Sequence, residues 1–157
     1  MSFAHDIYAE TNPAFCAFAI AAFAKGYIGI RKEGVDLATI YLALPIALSG
    51  DLIHTFDGTN KNTGLIEWIH RHPEVTIKFA DRVNSTLGIS SEAIRFGCLS
   101  QILKMSEKTN VLPGTIKPKK LSPFSTELTL KRAERLGHWF AGAGSSRSVF
   151  EALGVTP

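Results

Sequence analysis

Ser90-Ser-Glu-Ala-Ile-Arg-Phe-Gly-Cys-Leu-Ser-Gln-Ile-Leu-Lys-Met-Ser-Glu-Lys-Thr-Asn-Val-Leu-Pro-Gly-Thr-Ile-Lys-Pro-Lys-Lys120 is the stretch on which the fold turns. Ser90-Ser-Glu92 reads as a helix cap. After it, Ala93, Ile94, Phe96, Gly97, Leu99, Ile102 and Leu103 recur with a period near 3.6, which predicts a helix from Glu92 to Lys104. The texture then changes. Lys108 to Lys120 carries Asn110, Pro113, Gly114 and Pro118 with β-branched residues between them. Leu112-Pro-Gly-Thr115 reads as a turn between two short extended arms, a β-hairpin. Upstream, Gly64 to His72 places Leu65, Trp68 and Ile69 on one helical face, opened by Thr63. Pro73 starts a further helix that points Val75, Ile77, Phe79, Ala80 and Val83 inward.

Residues 64–120 thus read helix, helix, helix, hairpin, the order of a winged helix. Further toward the N-terminus, Thr11-Asn12-Pro13 is a helix start, with a capping side chain and Pro in the first turn. That helix runs Ala14 to Lys25 and is expected to end at Gly26. Its alanines allow a neighbouring helix to approach closely. Tyr27 to Lys32 reads as a short strand or an extended link. Asp36 caps a second apolar segment, Leu37 to Leu48, in which Pro45 implies a kink or a restart. Asp57 to Asn62 is a surface turn. Beyond the hairpin, Ser125-Thr126 caps a long helix from Glu127 to Ala141, and Ser148 to Leu153 forms a last one. The prediction is a mainly α chain, one domain over 1–157: a compact helical domain with a winged-helix-like core at 64–120, one short β-hairpin, and C-terminal helices at 125–157.

The C-terminal segment is unusually apolar. Chain ends ordinarily fray and turn polar, yet Trp139, Phe140, Phe150, Leu153 and Val155 carry aromatic and aliphatic weight almost to Pro157. Either the chain's own core or another protein must cover them. Phe150 and Leu153 share a helical face, and with Trp139, Phe140 and Val155 they are the candidate protein interface.

Composition bounds the function. An apolar content of 45% with 20% charged residues is that of a folded protein. Residues 1–100 hold 8 basic and 10 acidic side chains, whereas 101–157 hold 9 basic and 4 acidic, so the two halves suit different partners. Cys16 and Cys98 lie in apolar helical contexts and read as buried free thiols. No leader pattern opens the chain, and the apolar run Pro13 to Ala24 is too short to span a bilayer, so a cytoplasmic protein with no membrane partner is expected. The five histidines show no metal-ligand spacing, Gly142-Ala-Gly-Ser-Ser146 lacks the ending of a phosphate loop, and no nucleophile elbow or acid–base pair is present. No catalytic residue, metal or cofactor is expected. Lys117, Lys119 and Lys120 at the hairpin, with Lys131, Arg132 and Arg135 on the following helix, form the candidate contact to a nucleic-acid backbone. The preceding helix offers only Arg95 and Lys104, which argues against its reading DNA directly.

Asn12-Pro-Ala14 with Phe23-Ala-Lys-Gly-Tyr27, Leu42-Ala-Leu-Pro45, Gly64-Leu-Ile-Glu-Trp68, Arg135-Leu-Gly-His-Trp-Phe140, and Val149-Phe-Glu-Ala-Leu-Gly-Val155 with Pro157 follow one another over nearly the whole chain. In these blocks the sequence resembles the middle component of bacterial three-component ABC ATPase systems, of the Lamassu anti-phage type. Residues 105–125 contribute nothing to the likeness. The resemblance implies a non-catalytic accessory subunit that joins an ABC-type, SMC-like ATPase to an effector, commonly a nuclease, in anti-phage or anti-plasmid defence. It brings no catalytic residues with it. The competing reading is an independent winged-helix transcriptional regulator that binds DNA alone.

Overall fold

The computed structural model describes residues 12–118 and 124–156. Helix α1, Pro13–Ile28, starts where expected: the Asn12 side chain accepts from the backbone N–H groups of Ala14 and Phe15 at 3.1 and 3.2 Å. It does not end at Gly26. That glycine lies inside the helix, against α6, Phe124–Gly142. A Cβ on Gly26 would fall 1.9 Å from the Glu134 carbonyl oxygen, and one on Gly137 would fall 1.9 Å from that of Phe23. The two glycines let α1 and α6 meet backbone to backbone, and this pair is the centre of the molecule. Tyr27 and Ile28 are accordingly helical, and the first strand comes later, at β1, Val35–Asp36.

Asp36 caps α2, Leu37–Ile40, accepting from the Thr39 N–H at 3.1 Å and the Thr39 hydroxyl at 2.8 Å. The expected interruption occurs at Tyr41 and Leu42, and α3, Ala43–Ala47, restarts around Pro45. A 3-10 helix, Gly50–Phe56, leads into the surface turn.

Residues 64–120 depart from the expected three helices. Helix α4, Leu65–Arg71, is followed by a single 3-10 turn, Pro73–Thr76, and Ile77 is solvent-exposed rather than inward. Lys78 then takes a left-handed conformation, φ 54°, and α5 runs unbroken from Phe79 to Leu99. Ser90 is not a cap. It sits buried in mid-helix, and its hydroxyl has no hydrogen-bond partner. The helix continues through Ser90 because its inward face, Phe79, Ala93, Ile94 and Gly97, is buried in the core on both sides of that residue.

The hairpin is real but lies upstream of its expected register. It consists of β2, Leu103–Met105, and β3, Asn110–Pro113, with the turn at 106–109 closed by Thr109 N–H to Ser106 C=O, 2.9 Å. Gly114 serves close approach instead of the turn: a Cβ there would lie 2.1 Å from the Gln101 carbonyl oxygen. The sheet is antiparallel in the order β1–β3–β2, pairing Val35 with Val111 and Met105 with Val111. Its first strand therefore comes from outside 64–120. Helix α7, Ser146–Leu153, closes the chain, capped by Ser145 and ended by Gly154 in the left-handed region. The described residues thus hold seven α-helices and one small sheet around a core that draws on elements from α1 to α7.

Candidate functional site

The C-terminal aromatics are covered from within. Trp139 stacks on Phe56 with ring centres 5.6 Å apart and packs on Trp68 at 5.2 Å, while its indole N–H donates to the Asn60 carbonyl at 2.9 Å. Phe140 meets Phe23 edge-on at 5.2 Å. Phe150 and Leu153 are 6% and 0% exposed, and Val155 is half-buried. Of the two possible covers for this segment, the structure supplies the chain's own core. The four large side chains offer no free surface, and a partner reaching them would first have to open the core. Helix α7 is short but tied down: the Ser146 hydroxyl donates to Asp36, and Arg31 Nε donates to the Ala141 carbonyl at 3.1 Å just before it.

The basic residues separate. Lys117 and Lys131 share the rim of a cleft of about 330 Å³ between α1, α6 and the arm after β3. The cleft has an apolar floor that includes Phe18, Ala22, Ile102 and Leu130, and Lys25 and Glu134 complete the rim, 3.9 Å apart. The arm is held in place by Gly114 N–H to Ile102 C=O, 2.8 Å, and Ile116 N–H to Gln101 C=O, 3.0 Å. Arg132 is turned elsewhere. It donates to the Thr129 hydroxyl at 3.1 Å, and burial, with Arg135 beside it, holds its guanidinium below the usual arginine range. Arg135 anchors the surface turn through the Thr59 hydroxyl at 3.0 Å. Neither arginine lines this cleft, but Arg135 and Lys131 share a neighbouring one with Lys61 and His138. Lys119 and Lys120 lie outside the described residues.

A second surface departs from the sequence reading. On the solvent side of α5, Leu99 is 82% and Phe96 38% exposed, although the helical period places both inward. At about 100° per residue, Leu99 stands on the side of the helix opposite Ser90, Ala93 and Gly97, the face that is buried. The two arginines of α5 are both paired, Arg82 with Asp51 and Arg95 with Glu92, so this face carries no free cation.

A third feature escapes the sequence reading altogether. His54, His72 and Glu74 converge from the two 3-10 segments: His72 Nδ1 lies 3.2 Å and His54 Nε2 3.4 Å from Glu74 Oε1, and all three ligand atoms lie within 4.8 Å of one another. These are residues that could hold a metal ion. Spacing along the chain gives no sign of them, because two separate segments supply them.

Cys16 is fully buried. Cys98 is half-buried, and burial pushes its thiol above the usual range, which disfavours the thiolate. No single helix among the described residues is long and apolar enough to cross a membrane.

Comparison with known proteins adds one finding: the family described as ABC-three component (ABC-3C) system Middle Component 3 matches residues 2–157. No curated protein and no solved structure matches the chain.

Proposed function

The chain belongs to the Middle Component 3 family of ABC-three component systems, and from that premise we propose that it is a non-catalytic, cytoplasmic bridging subunit. It joins an ABC-type, SMC-like ATPase to an effector such as a nuclease, in a defence complex of the Lamassu kind against phages or plasmids.

Its core is winged-helix-like, with bounds other than 64–120. Support comes from the sheet order β1–β3–β2 and from the order α1, β1, α2–α3, α4, α5, β2–β3, in which α4 is an additional helix between α3 and α5. In such a core α5 stands where a recognition helix would enter the major groove. The observation that carries the reading is the surface of this helix. A helix that meets DNA needs free cations for the phosphates. Helix α5 instead offers Leu99 and Phe96, and its arginines are engaged with Asp51 and Glu92. A recognition helix that has kept its place and lost its charge suits a protein partner. This favours a bridging subunit over an independent regulator. Any DNA backbone contact falls to Lys117 and Lys131 at the cleft, where Lys25 is paired with Glu134.

The test is the double variant Phe96→Asp with Leu99→Asp, expressed with the ATPase and effector components encoded beside it. Leu99 is mostly exposed and Phe96 about one-third exposed, so the isolated chain is expected to stay folded at a cost of about 1–3 kcal/mol, which its own melting checks. Co-purification with at least one component is expected to be lost. Intact assembly would overturn the reading, and specific binding of the wild-type chain alone to duplex DNA would favour the regulator.

A further inference from the structure

We propose that His54, His72 and Glu74 form a binding site for a divalent transition-metal ion, zinc by preference. Nothing in the family reading assigns such a site, and it stands apart from both the lysine rim and the α5 face.

The donor set fits the ion. Two imidazole nitrogens and one carboxylate oxygen are ligands that zinc accepts, and three protein ligands leave a fourth position open for water or for a donor from a partner. The spacing fits as well. With metal–ligand bonds of about 2.0–2.1 Å, a tetrahedral centre holds neighbouring ligand atoms roughly 3.3 Å apart. The two distances to Glu74 Oε1 are 3.2 and 3.4 Å. Two of the three ligand-atom separations therefore already match the edge of such a tetrahedron, and the third is within 4.8 Å.

The three side chains are carried on fixed backbone. His72 precedes Pro73, which restricts its conformation, and Thr76 closes the following turn by donating to the Pro73 carbonyl at 2.9 Å. His54 sits in a 3-10 helix fastened by Thr55, whose hydroxyl donates to the Leu52 carbonyl at 2.6 Å. The Trp68 indole N–H donates to the Thr55 carbonyl at 3.1 Å, which links this helix to α4 just before His72. Val75 and Phe56 are both buried beside the trio. Little ordering remains to be done at the moment of binding.

The proton balance is simple. Metal-free, each ring nitrogen near Glu74 can donate its N–H to the carboxylate. Each neutral imidazole then moves that proton to its other nitrogen and presents a lone pair to the ion.

Full-length protein, freed of any polyhistidine tag and stripped with EDTA, is titrated with zinc by calorimetry and with cobalt by visible absorption. One equivalent of zinc per chain is expected, with a rise in melting temperature and a cobalt spectrum of tetrahedral type. His54→Gln, His72→Gln and Glu74→Gln should each weaken zinc binding by at least the roughly 10–100-fold that loss of a mere outer-shell partner costs. His70→Gln, exposed on α4, should leave it unchanged. Melting in EDTA shows that each variant is folded. Absence of saturable zinc binding, or unchanged binding in the His54→Gln, His72→Gln double variant, would overturn the site. Either result leaves the assembly test on α5 unaffected.

Discussion

Phe150 and Leu153 show how the same residue pattern acquires its meaning from the structure. Their spacing defines a shared helical face, and a shared face suits a partner as well as a core. In the structure both are buried against the chain itself, and the Val155 N–H reaches back to the Phe150 carbonyl at 3.0 Å. Truncating a buried Leu or Phe costs about 2–5 kcal/mol, from forfeited transfer energy and the cavity left behind. Phe150→Ala with Leu153→Ala is therefore expected to lower the melting temperature of the isolated chain by on the order of 10 °C. Circular dichroism checks this. Unchanged melting with failed assembly would return the tail to the role of an interface.

Elements are set by contacts between helices as much as by their own sequences. Gly26 reads locally as a stop signal, yet it is where α6 crosses α1. Caps such as Asn12 and Asp36 are legible because each bonds to backbone within three residues of itself. The role of Gly26 depends on Glu134, which no local pattern reveals. Gly26→Ala is expected to force the two helices apart and to cost more than the about 1–3 kcal/mol typical of overpacking, since the obstructing atom is backbone. Gly88→Ala, in α5 with nothing within 4 Å of the added carbon, is expected to stabilise by about 0.5–1 kcal/mol. Urea unfolding of both variants tests the contrast, and equal effects would show that the α1–α6 approach is not tight.

At the scale of the whole molecule, charge and apolar surface are distributed over different faces. The excess of basic residues after position 100 is visible in the sequence, but among the described residues only Lys117 and Lys131 of the candidate set meet at this cleft, joined there by Lys25. If the rim touches DNA within the assembled complex, Lys117→Glu with Lys131→Glu is expected to weaken DNA binding. It should also flatten the salt dependence by about 0.9 in logarithmic slope for each phosphate that is no longer neutralised. Filter binding at several salt concentrations measures both. An unchanged slope with loss of a protein component would assign the cleft to that component.

The sequence alone determined the mainly helical class, the starts of α1 and α2, the break before Pro45, the ends of α6 and α7, and the family likeness. Each rests on hydrogen bonds, proline geometry or residue order within a few positions. The starts of the last two helices differ, since α6 begins at Phe124, ahead of the expected Ser125-Thr126 cap, and α7 at Ser146 rather than Ser148. The tertiary structure alone decided that Ser90 lies inside a helix, that the hairpin turns at 106–109, that Leu99 faces solvent while Phe150 does not, and that His54 meets His72 and Glu74. The reason is the same in each case. A cap or a period prescribes a local conformation, whereas burial and convergence depend on which distant segment packs alongside. Gly26 is one instance: it is helix interior rather than a stop because α6 packs alongside it.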